Sequence, residues 1–297
     1  MVIDAMGAAS PHAAVDLGCP TVGGVLTGLA RGDAPDEINP NVGDILVTTE
    51  HRDQGRQHIW EGFPGTNYRY TTYVFHYARA NDLPEKPLIS LFGRFFRLRA
   101  RYKRGSLRAT SSWDDGTEIE RLTYGIIPGW TRLTPAPASQ NRVDGLVLVG
   151  DAGARHSPLT FCGFGSMARS FVPIAEGLLR AIDDNDLSHA RLSRLAPEPP
   201  VLSGVGALAL LLGKPRRHVD PAATNRLLDA AFRSLYEAGE ATYASLLQDR
   251  MSPRSFASFL LKTSRLRPEV YSDSWSFMSG TEFVKWSTLV ARGAASF

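Results

Sequence analysis

The clearest periodicity lies in Tyr70–Ala78, where Tyr73, Phe75 and Tyr77 fall on one face and Val74 and His76 on the other. A period of two marks a half-buried strand. His58–Phe63 reads as its partner across the turn Pro64-Gly65-Thr66-Asn67. Pro20–Leu29 and Asp44–Thr49 read as short strands flanking the turn-rich Arg31–Gly43, and Leu122–Ile127 and Gly145–Val149 as two more. Leu88–Tyr102 predicts a helix, with Leu88, Leu91, Phe92, Phe95 and Phe96 near one side. Asp220-Pro221 predicts another helix start, an acidic N-cap followed by proline, with Leu228, Phe232, Leu235, Thr242, Tyr243 and Leu246 continuing at helical spacing. Met1–Gly7 reads as a buried strand entering a tight turn. Such a strand needs a partner, either later in the chain or in sequence upstream of Met1; the second alternative is the expectation.

Composition narrows the class. The 297 residues are 43% hydrophobic and 21% charged with a net charge of +3, ordinary for a folded protein and too weakly basic to imply nucleic acid. Cys19 and Cys162 stand far apart, so neither a disulfide framework nor a zinc site is expected, and a reducing, cytoplasmic compartment fits. The apolar run Val201–Gly213 is too short to span a bilayer. Arg94, Arg97, Arg99, Arg101, Lys103, Arg104 and Arg108 follow one another with no acid among them. They read either as a solvated helix end or as a patch for anionic lipid headgroups. Leu195–Pro200, with Pro197, Pro199 and Pro200, is the clearest seam.

The chemistry concentrates in Gly145–Val149, Gly150-Asp151-Ala152, Ser157-Pro158 and then Cys162-Gly163-Phe164-Gly165-Ser166. An apolar strand ends in Gly-Asp-Ala, a loop follows, and a Gly-x-Gly turn opens a helix. This order suits a flavin. A carboxylate at a strand end can accept ribityl hydroxyls, glycines allow close backbone approach, and helix-start N–H groups favour negative charge. Gly204–Ala209 also fits a Gly-x-Gly-x-x-Ala pattern, but it follows prolines rather than a strand and is read as non-functional. Pro173 is expected to kink the helix that follows Gly165.

LVLVGDAGARHSPLTFCGFGSMAR resembles the second FAD motif of the hydroxylase-type flavoproteins, and among them the FAD-dependent lycopene cyclase family of phototrophic bacteria and plastids. VIDAMGAASP, IWEGFPG, YGIIPGW and LLDAAFRSLYEAGEATYASLLQD resemble the same family. The resemblance implies an α/β fold of α+β character, the C-terminal part of an FAD-binding Rossmann-like flavoprotein. Its layout would be 1–20 as residual strand and turn of the FAD domain, 21–140 as an antiparallel-sheet substrate domain, 141–195 as the second part of the FAD domain and 196–297 as a helical C-terminal region. It implies FAD, reduced for activity, held by Gly150, Asp151, Ala152, Pro158, Gly163 and Gly165 together with Asp4 and Gly7.

The family's N-terminal Gly-x-Gly-x-x-Gly unit has no counterpart in these 297 residues, so this chain alone is expected to hold FAD poorly. A lipophilic carotenoid substrate and a peripheral position at a membrane surface are also implied. Ring closure would need an acid, and Glu61, among Ile59, Trp60 and Phe63, matches that of the family. Its other reading is an edge-strand carboxylate paired with Arg69. His76 and His156 read as ordinary polar residues rather than bases. Trp60, Tyr73, Phe75 and Trp130 are core aromatics or the lining of a polyene tunnel. A redox flavoenzyme, such as a prenyl-chain reductase or a monooxygenase, and a non-catalytic membrane-docking remnant remain as alternatives.

Overall fold

The computed structural model describes residues 1–13, 15–53, 55–107, 114–133, 143–154, 157–160, 162–195 and 202–295. His156, Arg108 and the prolines of the 196–200 seam lie outside them. The elements in chain order are β1 (Val2–Asp4), β2 (Leu17–Thr27), β3 (Asp44–Val47), β4 (Ile59–Pro64), β5 (Tyr70–Phe75), β6 (Ala78–Arg79), α1 (Pro87–Tyr102), β7 (Glu118–Gly129) and β8 (Leu146–Leu148). Then come α2 (Gly163–Asp183), α3 (His189–Leu192), α4 (Leu202–Leu208), α5 (Ala223–Ala238), α6 (Glu240–Leu247), α7 (Pro253–Leu266), α8 (Val270–Phe277) and α9 (Gly280–Ala295). This is a mixed α/β protein with a large antiparallel sheet.

Six strands form that sheet in the order β3-β4-β5-β2-β6, with β7 on the other side of β2. The predicted β4–β5 pair forms, with Glu61 opposite Tyr73 and Phe63 opposite Thr71. Alternation then sorts the side chains. Ile59, Phe75, Tyr77 and Cys19 enter one apolar cluster, shared with Leu210–Leu212 and with Leu228 of α5. Trp60, Tyr70, Val74, Val22 and Leu26 enter the opposite cluster, against Leu91, Phe95, Leu98 and Tyr102 of α1. The sheet's rims are unequal. β3 has four residues with a register shift, whereas β7 has twelve and pairs only with β2 among the described residues.

The opening strand has a partner within the chain. β1 pairs in parallel with β8, Asp4 opposite Leu148, and the Val149 amide donates to the Asp4 carbonyl at 3.0 Å. The pair packs Val147 against Ile174 and Leu178 of α2. Parallel strands usually have both faces covered, yet Val2, Ile3, Phe164, Phe171 and Leu179 are exposed. α2 runs on as one helix through Pro173, which supplies no N–H to the turn before it. The helix predicted from Asp220-Pro221 is interrupted at Gly239, which separates α5 from α6.

Two segments bear on the expected position at a membrane surface. The run is interior over 204–213: Val205, Ala207 and Leu210–Leu212 are buried, because α4 and the 3-10 turn after it insert between the sheet and the C-terminal helices. The basic cluster is largely paired. Arg94 binds Glu50 and Asp53, Arg99 binds Asp115, Lys103 binds Asp44, and Arg104 binds Glu37. The acids missing from the local sequence arrive from other elements, which leaves Arg97 and Arg101 as the exposed cations of α1. No helix among the described residues is long and apolar enough to cross a membrane.

Candidate functional site

Glu61 is buried in the middle of β4 on the face away from α1. Its neighbours follow from the sheet. Tyr73, directly opposite on β5, donates its hydroxyl to the Glu61 carboxylate, and so does the backbone N–H of Leu46. The Leu46 contact depends on an irregularity. Asp44 lies opposite Gly62 and Val47 opposite Trp60, so Ile45 and Leu46 together face Glu61. Two residues against one is a β-bulge, which bends the strand and redirects what it carries. Leu46 takes φ 56°, a left-handed conformation costly for a branched side chain. Burial lifts the Glu61 pKa to about 7, against the two hydrogen bonds, which favour the anion.

The pairing with Arg69 is not present. Arg69 donates to Glu120 at 2.6 Å instead, reaching across β2 to the carboxylate that β7 carries on its far side. No cation pairs with Glu61 among the described residues.

Ile45 and Leu46 also form part of the wall of a cavity of about 280 Å³. It lies between β3 and the loop 157–160 on one side and α5 to α9 on the other, with Leu228, Ala231, Phe259 and Trp286 among its lining. The lining is almost wholly apolar, as ligand pockets commonly are. Thus the residue that holds the carboxylate is itself a wall residue.

Of the two readings of Trp60, Tyr73, Phe75 and Trp130, the core reading fits the packing. Trp60 points to the opposite face and stacks on Tyr102 and Phe95 at 5.0 and 5.9 Å between ring centroids. Phe75 and Trp130 are buried in the core, and none of the four aromatics lines the cavity. His76 is also buried, and burial with nearby Arg56 and Arg94 lowers its pKa to about 3, so it stays neutral.

The motif residues converge at the end of β8. Gly150-Asp151-Ala152-Gly153 forms a 3-10 turn directly after the strand, opened by Gly150 at φ 59°. A side chain at 150 would come 3.3 Å from the Met167 sulfur, so Gly150 lets the turn approach α2 closely. Gly7 lies beside Asp151: a Cβ there would stand 3.9 Å from that of Asp151. Gly163 and Gly165 occupy the first turn of α2. Helix-start amides of that kind have no intrahelical acceptor.

Three of the expected cofactor residues have contacts within the scaffold. Asp4 accepts the Met6 amide at 2.9 Å and the Ser10 hydroxyl at 2.5 Å, which commits both oxygens to its own turn. These bonds hold its pKa below the ordinary value. Ala152 is buried. Pro158 is wedged where a Cβ on Gly129 would meet it at 2.7 Å, and its carbonyl accepts the Tyr77 hydroxyl at 3.1 Å.

No family model matches this chain, and no curated protein matches it. Among solved structures it is similar to the crystal structure of halogenase PltM, at 13% identity and a TM-score of 0.44. The similarity covers 97% of this chain and 60% of that one, a likeness too slight to assign an activity.

Proposed function

We propose that this chain carries the flavin edge and the substrate cavity of an FAD-dependent enzyme of the hydroxylase type, one that closes rings on linear carotene ends as lycopene cyclases do. The observation that carries the reading is Glu61, a buried carboxyl with a pKa near 7 held by a residue of an apolar cavity wall. At neutral pH roughly half of such a group is protonated, so it can give a proton to an alkene without first recruiting one from water. The Tyr73 hydroxyl and the Leu46 N–H accommodate the carboxylate left behind. The apolar lining keeps water from a cationic chain. Leu228, Phe259 and Trp286 offer it shape and no nucleophile.

The residues present fit a flavin at the motif. Gly150 brings the Gly-Asp-Ala turn against α2, and the first turn of α2 carries no side chain at 163 or 165 to block approach. Asp151 would accept the ribityl hydroxyls, and the α2 amides would meet the negatively charged edge of the ring system. When bound and reduced, FAD supplies fixed negative charge that favours the cation. Asp4 and Gly7 support the turn beside Asp151 rather than touch the ligand.

The test is Glu61→Gln in a reaction supplied with reduced FAD and linear carotene, the products resolved by chromatography. With a nucleotide-binding unit supplied, the variant should match the wild type in flavin and substrate binding and lose ring formation by at least about a hundredfold, the usual scale for a lost general acid. Full ring formation removes Glu61 from the mechanism. Products heavier by two hydrogens would instead identify a chain reductase.

A further inference from the structure

One buried carboxylate touches both halves of this site. Asp249 follows α6 at φ 53° and is 2% exposed. Its Oδ1 accepts the Thr160 hydroxyl at 2.8 Å and its Oδ2 accepts the Ser157 amide at 3.2 Å. Ser157 is fully buried, so without Asp249 its amide would have neither that acceptor nor water. On the sheet side the same strap is held by the Tyr77 hydroxyl on the Pro158 carbonyl. At its far end the Cys162 thiol donates to the Leu247 carbonyl, at the end of α6.

Between these anchors Leu159 and Thr160 enter the cavity wall, and Cys162 leads into the first turn of α2. Leu247 and Asp249, at and just after the end of α6, therefore fix a strap with one edge on the cavity and the other on the motif helix.

We propose that Asp249 is a positioning residue, which sets the strap 157–160 in register with the apolar cavity and with the opening turn of α2. The cavity side of this inference rests on geometry alone, and its meaning for a cofactor rests on the flavin reading above. Both bonds run from a neutral donor to a buried carboxylate, which makes them strong and directional. A residue that merely filled space would be indifferent to the hydroxyl at 160.

Thr160→Val and Thr160→Ser separate the two roles in the full chain, with Asp249→Asn as a further variant. The cavity is read by fluorescence of N-phenyl-1-naphthylamine, a neutral apolar probe, and the strap by hydrogen exchange at the amides of 159, 160 and 163–166. Thr160→Val should weaken probe binding about tenfold, the scale of one charge-assisted bond, and speed exchange along the strap and into α2. Thr160→Ser keeps the hydroxyl and should match the wild type on both. Asp249→Asn, with one acceptor oxygen, should lie between.

Wild-type probe affinity and exchange in Thr160→Val overturn the proposal, and so does equal loss in Thr160→Val and Thr160→Ser. Failure of the wild type to take up the probe overturns it as well. Riboflavin 5′-phosphate, which lacks the adenosine half, tests the flavin reading separately. If no form binds it while the probe pattern holds, the flavin reading fails and the strap assignment stands.

Discussion

Strand β4 turns Trp60 to one face of the sheet and Glu61 to the other, and the two side chains meet different interiors. On the α1 face Trp60 stacks between Tyr102 and Phe95, and each charge near the core has a partner of opposite sign. Arg99 and Asp115 are the plainest case, two bonds of 2.7 and 3.0 Å in a nearly dry setting. On the other face Glu61 has no cation among the described residues, only two neutral donors, and beyond them the packing opens into a cavity. A filled core with matched charges makes a scaffold. An open core with an unmatched acid keeps a proton available for chemistry, at a cost in stability.

The largest effect should come from breaking the matched side. Asp115→Ala leaves Arg99 buried without its partner, and loss of about 3–5 kcal/mol is expected, read from the urea midpoint. A loss under about 1 kcal/mol would mean that water reaches Arg99 and that the two faces differ less than drawn here.

Next in size is the unmatched acid itself. The Glu61 pKa rises from an ordinary 4.5 to about 7, so the folded state holds more protons than the unfolded one between those values. Its favourable contribution is complete below about pH 4.5 and is lost as pH rises through 7, a difference of about 3 kcal/mol at most. Glu61→Gln should therefore gain stability relative to the wild type as pH rises from 5 to 8. The buried His58 and His76, with pKa values lowered to about 2 and about 3, act in the opposite sense and lose stability below about 6.5. They are common to both proteins, so the difference between them isolates Glu61. A difference that does not change with pH would show Glu61 to be solvated.

The smallest effect sharpens the contrast between filled and open packing. Ala231→Leu adds volume on the cavity side and should change stability by no more than about 1 kcal/mol while expelling the naphthylamine probe. Gly62→Ala adds one carbon on the α1 side, 2.3 Å from the Tyr70 ring, and should cost about 1–3 kcal/mol. If both behave alike, the cavity is not open in solution.

Much of this was legible in the chain, for a reason that also sets the limit. The period of two around Tyr73 fixes which side chains share a face and marks the β4–β5 pair, while the register that sets Glu61 opposite Tyr73 depends on the turn between the strands. Periodicity says that a residue faces inward; it does not say whether the interior there is filled. Leu228, Phe232 and Leu235 read as the inner stripe of a helix, and they are, but they border a cavity. Charges pose a related difficulty. Arg94, Arg99 and Lys103 look unopposed because Glu50, Asp53, Asp115 and Asp44 lie far from them in sequence and close only after folding. The bulge at Ile45-Leu46 carries no glycine or proline to announce it, and Asp249 is one carboxylate among many until the strap crosses it.

The unequal rims of the sheet have a consequence for how copies of this chain meet in concentrated solution. A strand with one unpaired side offers a row of amides and carbonyls on which another strand can dock. β3 is short and bent by its bulge, a poor template. β7 is three times as long and carries Leu122, Tyr124 and Ile126 exposed along it. Glu118, Glu120 and Arg121 interrupt that row, and Arg69 reaches across to hold Glu120 in place. A second β7 approaching edge to edge in antiparallel or parallel register would have to bury some of these charges. They guard the longest open edge of the sheet against self-association.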